Sequence, residues 1–232
     1  MPRLGVNLTQ NFSVMRTLFS VALVFVSGLV FGQRPYITSD GEIILGFASI
    51  NKNGTEDSAI PRFTMFFHGQ SLAHFDQGRN MGMIAGISLR NVGFITDDGP
   101  DVRTKHRTYN LGVPIGFKIG DMQGIYVYGG YEFEMPFNYK EKRFENDEKV
   151  SKFNTWFSRR TPAFYHAVFA GIRFPRGMSL RFKYYATPFF NKNFTLSDGA
   201  KPYENLEVNT FHIALTSMLT KGKKVVAGRR SN

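Results

Sequence analysis

No cysteine occurs anywhere in the 232 residues. Its absence rules out disulfides, thiolate metal sites, a cysteine nucleophile and a lipidated N-terminal cysteine, so an exported chain of this kind reaches a membrane through its fold or stays soluble. Histidine is sparse, and His68, His74, His106, His166 and His212 never fall at metal-ligand spacing on one element. The acidic clusters at 97 to 101 and 145 to 148 lack the spaced ligand pattern of a calcium loop. Past residue 33 no apolar run approaches the ~20 residues of a transmembrane helix. No catalytic residue, metal or cofactor is expected.

What is present begins with an apolar stretch, Leu18 to Phe31, preceded by Arg16 and free of acidic residues. It is too short to span a bilayer comfortably and ends at Val30-Phe31-Gly32 before Gln33, which is a signal peptide pattern. Residues 1 to 32 are therefore expected to be removed, and Met15 offers a second translation start. The formal charge is +11; Arg3 and Arg16 of the leader supply two of those charges, leaving +9 on the mature part. On an exported chain such an excess meets anionic lipid headgroups, lipopolysaccharide phosphates and periplasmic polymers. Nucleic acid is not an expected partner, since no basic helix or aromatic stacking signature accompanies the charge.

The mature chain has a rhythm. Strand-like runs are expected at about 42 to 50, 62 to 74, 81 to 95, 107 to 119, 125 to 137, 162 to 174, 178 to 190 and 206 to 219. Period two is plainest in the fifth, where Ile125, Val127, Gly129, Tyr131, Phe133 and Met135 oppose Tyr126, Tyr128, Gly130, Glu132 and Glu134. Short turns of Gly, Pro and Asp chemistry (76 to 80, 120 to 124, 175 to 177) alternate with longer polar connections at 51 to 61, 96 to 106, 138 to 161 and 191 to 205. With a mean hydropathy of -0.22 and 15% aromatic residues, this describes an all-β, eight-stranded antiparallel up-and-down transmembrane barrel over residues 33 to 220. A basic tail, 221 to 232, would follow it, with both chain ends in the periplasm.

Eight strands enclose a lumen just wide enough for side chains. If the apolar faces meet lipid, the polar faces turn inward, where unpaired charge costs several kcal/mol. An interior ion-pair network is thus expected, centred on Glu132 and Glu134 with Lys118, Arg181 and Lys183. The longest connection, 138 to 161, is the expected binding surface. Its candidates are Phe153, Trp156, Phe157, Arg159 and Arg160, and the spacing of Val150, Phe153, Trp156 and Phe157 suggests a short amphipathic helix at headgroup level.

The leader, the eight alternating runs, the three short turns and the four longer loops together resemble the small outer-membrane barrels of Gram-negative bacteria, such as OmpX and the transmembrane domain of OmpA, and porin-family barrels. The resemblance implies cell outer-membrane residence, with non-enzymatic roles in envelope anchoring, surface recognition or as an accessory of a secretion or assembly complex. Expected partners are outer-membrane lipid and lipopolysaccharide, and a protein contacting the 138 to 161 loop or the tail. The sequence departs from the family in one respect: its last strand runs through Phe211, Ile213, Leu215 and Leu219 into the basic tail rather than ending on an aromatic residue. Two alternatives stay open. One is a lipid-modifying barrel enzyme using His166 or His212 with Ser158 or Thr210; the other is a soluble lipocalin-like barrel with its apolar face turned inward around a ligand.

Overall fold

The computed structural model describes residues 35 to 221. The expected leader and the basic tail beyond Lys221 lie outside the described residues. Eleven strands follow in order: β1 (Tyr36–Lys52), β2 (Thr55–Ser58), β3 (Arg62–Thr64), β4 (Gly69–Gln77), β5 (Met81–Gly99), β6 (Val102–Gly120), β7 (Tyr126–Glu145), β8 (Glu148–Trp156), β9 (Tyr165–Arg173), β10 (Met178–Tyr185) and β11 (Leu206–Lys221). Eight of them, β1, β4, β5, β6, β7, β9, β10 and β11, pair antiparallel in sequence, and β11 returns to β1 from Thr38↔Lys221 to Lys52↔Leu206. That last ladder closes the sheet into a barrel and removes the open edge that water or lipid would otherwise meet.

Burial settles which face is which. Outward along β6 stand Leu111, Val113, Ile115, Phe117 and Ile119, along β10 Leu180, Phe182 and Tyr184, and along β11 Ile213, Leu215 and Leu219, all exposed. Inward on the same strands stand Lys118, Arg181, Lys183, His212 and Thr216, all buried. A lipocalin-like barrel has the opposite arrangement, so that alternative falls. A contiguous apolar belt around a charged interior is stable only where the surroundings are hydrocarbon, which makes this a transmembrane barrel.

The three tight turns, around 78 to 80, 121 to 125 and 174 to 177, share one end with Tyr36 and Lys221. At the opposite end the longer connections are largely hairpin rather than loop. β5 and β6 stay paired until Gly99↔Val102, and β7 and β8 until Glu145↔Glu148. Residues 148 to 156 are accordingly a strand and not the expected amphipathic helix. Asn146 and Asp147 both take positive φ, 49° and 63°, the geometry of a two-residue hairpin turn, and the β7 ladder then satisfies the backbone that a helix would have bonded internally. Asn53-Gly54, with φ of 54° and 82°, does the same between β1 and β2. Two further departures matter. The second run is broken into β3 and β4 by Met65 to His68, and the seventh stops at Tyr185, after which Phe189, Phe190 and Tyr203 of the 186 to 205 connection turn into the interior.

Candidate functional site

The lumen is filled by one connected network. Arg90 and Arg181 both donate to Glu42 and both reach Gln70 Oε1, at 2.9 and 2.6 Å. Arg90 also lies 3.5 Å from Glu132, which accepts from Ser88 and pairs with Lys183 at 2.7 Å. Lys183 donates to Glu134, which accepts further from Asn110 Nδ2 at 2.7 Å and Tyr185 at 3.0 Å. At the turn end Gln70 donates to Asp40 at 3.1 Å, and Arg173 grips the same carboxylate at 3.2 and 3.3 Å. Four carboxylates (Asp40, Glu42, Glu132, Glu134) thus meet four cations (Arg90, Arg173, Arg181, Lys183), so the low-dielectric interior carries no net charge from this set. Gly112 makes room for it: a Cβ there would stand 2.7 Å from Glu132 Oε1 and 3.0 Å from Glu134 Cγ.

Lys118 is the one expected member that stands apart. Its ammonium pairs with Asp76, lies 3.1 Å from His74 Nδ1, and sits over the rings of Tyr36 and Tyr126. The cause is register. Lys118 is opposite Tyr128 on β7, four residues from Glu132 and so about 13 Å away along the strand. On its other side it is opposite Gly82, whose missing side chain opens the path to Asp76.

Above the network the lumen is closed by aromatics. Phe94, Tyr139, Phe189, Phe190 and Tyr203 form a buried cluster, with Phe190 and Tyr203 stacked at 4.2 Å and Tyr165 donating to the Phe189 carbonyl at 2.7 Å. Arg160 holds this lid, donating to Tyr203 at 2.8 Å and lying over Phe153 and Phe194. Tyr139 donates to Glu141 at 2.6 Å, and burial followed by that carboxylate pushes its phenol well above the usual range. Burial likewise holds His106, 3.0 Å from the Tyr139 hydroxyl, below the ordinary imidazole value.

Beyond the belt β5 to β8 continue as one sheet, and the outward face of its β6, β7 and β8 strands is basic. Directly opposed residues share a face, so Arg103↔Phe144↔Lys149, Lys105↔Lys142↔Lys152 and Arg107↔Lys140↔Asn154 lie in three rows on one side. Arg103 pairs with Asp147; among the described residues none of the other six cations forms an ion pair. Slight burial, then the like charges of Arg107, Lys140, Lys149 and Lys152, hold the Lys142 ammonium below the ordinary lysine range. Directly beneath the rows runs an aromatic girdle, with Phe67 edge-on to Tyr109 at 5.5 Å, Tyr109 beside Phe137, and Phe137 stacked on Trp156 at 5.8 Å. Trp and Tyr collect where hydrocarbon meets headgroups, so the rows lie at headgroup level and above.

Of the surface candidates, then, Trp156 and Phe157 stand exposed at the girdle, while Phe153 and Arg160 turn toward the lid. Arg159 is exposed and its carbonyl accepts from Asn191. The residues considered for catalysis do not converge. His166 sits on the outer wall against Tyr131, Ser158 accepts from the Arg160 amide, and His212 and Thr210 are buried in the interior. Among the described residues no group of three His, Asp or Glu side chains gathers as metal donors. Two network carboxylates are absent from the sequence expectation: Asp40 lies ahead of the expected first run, and Glu42 stands at its very start, with no alternation before it to assign a face; the basic rows are absent from it because 96 to 106 and 138 to 161 lack apolar alternation. The signals for the rows were Asn146-Asp147 and the alternation Arg103, Lys105, Arg107.

No family model matches the chain, and no curated protein matches it by sequence. Among solved structures it is similar to Ail, the attachment invasion locus protein of Yersinia pestis (10% identity, 78% of this chain and 99% of that one, TM-score 0.37). It is also similar to Neisserial surface protein A (10% identity, 79% and 96%, TM-score 0.37) and to the outer membrane protein OprG of Pseudomonas aeruginosa (11% identity, 84% and 97%, TM-score 0.35).

Proposed function

We propose that this chain is a non-enzymatic outer-membrane barrel that presents a basic sheet at the cell surface, for envelope anchoring or surface recognition. The observation that carries the reading is the change in how cations are held along the same strands. Inside the belt Arg90, Arg181 and Lys183 are buried and paired, whereas beyond it Lys105, Arg107, Lys140, Lys142 and Lys152 face outward without carboxylates. Buried charge must be neutralised for the barrel to stand, while an unneutralised outward excess attracts polyanions. Lipopolysaccharide phosphates and acidic surface polymers have the matching charge, and the exposed Trp156 and Phe157 supply apolar contact beside the cations. A protein partner would use the same hairpin or the basic tail.

The test replaces Lys105, Arg107, Lys140, Lys142 and Lys152, the outward cations without carboxylates, with Gln. Heat-modifiable gel mobility, which reports a folded barrel, should be unchanged, and retention on immobilised lipopolysaccharide or dextran sulfate should be lost. Unaltered retention would remove the outer sheet from function. Planar bilayers with the purified protein should show no steps of porin size, because the lumen is occupied from Asp40 to Phe190.

A further inference from the structure

One stretch of the barrel wall is built from side chains instead of a backbone ladder. Pairing of β4 with β5 runs from Gln77↔Met81 to Gly69↔Leu89 and ends there, and β3 pairs with β1 only over Ile44↔Thr64 to Gly46↔Arg62. Between them, up to the single bridge Ile60↔Ile95, the edge of β5 forms no ladder with a strand on that side. Asn91 is served there by side chains. Arg62 donates to its carbonyl at 3.2 Å and to its Oδ1 at 2.8 Å, and its amide donates to His68 Nδ1 at 3.4 Å. Over the gap Met65, Phe66 and Phe67 project outward, 50%, 70% and 62% exposed.

The charge at this seam is unbalanced. Arg62 is 9% exposed, and no carboxylate pairs with it among the described residues. The charge that acts on it most strongly is a second cation, Arg107, whose Nε is buried without a hydrogen-bond partner. Arg107 is opposite Gly93 on β5 and Lys140 on β7, and Tyr109 of the girdle lies two residues below it. Every lumen cation of the network has a carboxylate; Arg62, also buried, has only the amide oxygens of Asn91. A buried cation beside another cation is costly unless an anion joins them.

We propose that Arg62, Arg107 and Lys140 form a site for a phosphate group carried by a lipid of the outer leaflet, with Met65, Phe66 and Phe67 lying against its acyl chains. This rests on the reading that the basic end faces the cell exterior. A phosphate fits because its three oxygens and charge of about −1.5 to −2 can serve two guanidiniums and an ammonium at once. The apolar segment at the same seam selects the lipid-borne form over free phosphate.

Trp156, the chain's single tryptophan, is two ring contacts from Tyr109 and reports binding by fluorescence. The full chain in zwitterionic micelles should bind bisphosphorylated lipid A at least about tenfold more tightly than its dephosphorylated form, the loss expected for several charge-assisted bonds. Arg107→Gln with Lys140→Gln, both on the outer surface and tolerable to the fold, should erase that preference, and Arg62→Gln should do the same. Lys149→Gln with Lys152→Gln removes equal charge from the far edge and should cost less than about threefold, as diffuse attraction does. Equal binding of the two lipids, or equal losses in the two double variants, overturns the site and leaves the surface reading standing. No lipid binding by the wild type overturns both. Competition by millimolar inorganic phosphate would overturn the lipid-borne source.

Discussion

The lumen and the outer sheet are made from the same strands and use charge in opposite ways. On β6 and β7 the charged inward residues within the belt are Lys118, Glu132 and Glu134, each with an oppositely charged partner, whereas a few residues further on Lys105, Arg107, Lys140 and Lys142 point outward and repel one another. The dielectric explains the difference. A charge enclosed by eight strands and hydrocarbon survives only when matched, so its identity is fixed by the fold; a charge in water is free to be selected for what it attracts. Mutations in the first region should therefore register as stability, and mutations in the second as binding.

The largest expected effect comes from Lys183→Met, which leaves Glu132 and Glu134 close together with the shared cation gone; urea unfolding of the micelle-folded barrel should show a loss of about 3–5 kcal/mol. Gly112→Val should follow at about 1–3 kcal/mol, because the added methyls overlap the carboxylates of that pair. If either variant altered polyanion binding while leaving stability intact, the division between the two regions would collapse. Replacing Asn146 and Asp147 with alanine forces two left-handed positions on residues that disfavour them, a local cost of about 1–2 kcal/mol. Hydrogen exchange should rise across 138 to 156 and stay slow in the belt. The smallest effect is a pH dependence at the lid. His106 is held below its ordinary value by burial, so the folded state binds its proton less readily than the unfolded chain. Stability of the lid should be complete above about pH 6.5 and fall below it, by at most about 1.4 kcal/mol per pH unit, and His106→Gln should flatten that slope.

The barrel itself was legible because period-two patterning survives in each wall strand and because an inward charge such as Glu132 stands out between apolar neighbours. Strand ends were less legible. Past the belt neither face of a strand is apolar, so Val102 to Arg107 and Lys140 to Trp156 lose the hydrophobic alternation while keeping the hydrogen-bond ladder. Turn chemistry was the signal that remained, and Asn53-Gly54 and Asn146-Asp147 carried it. The helix expected around Trp156 arose from three-residue spacing of Val150, Phe153 and Trp156, which on an edge strand bent by a bulge at Arg143/Phe144 is coincidental. The seam at Met65 to His68 had no signature at all, since Phe63, Met65, Phe66 and Phe67 read as an apolar continuation of the run.

Because the chain has no cysteine, single cysteines can place each region in its solvent, and one such measurement bears on the whole account. Spin labels at Ile115→Cys on the belt and Lys105→Cys on the outer sheet, in the barrel reconstituted into phosphatidylcholine bilayers, should differ in accessibility. The first should be relaxed by oxygen and shielded from an aqueous nickel chelate, and the second the reverse. A label at 115 open to the nickel chelate, or one at 105 reached only by oxygen, would contradict an apolar belt in lipid with a basic sheet standing clear of it.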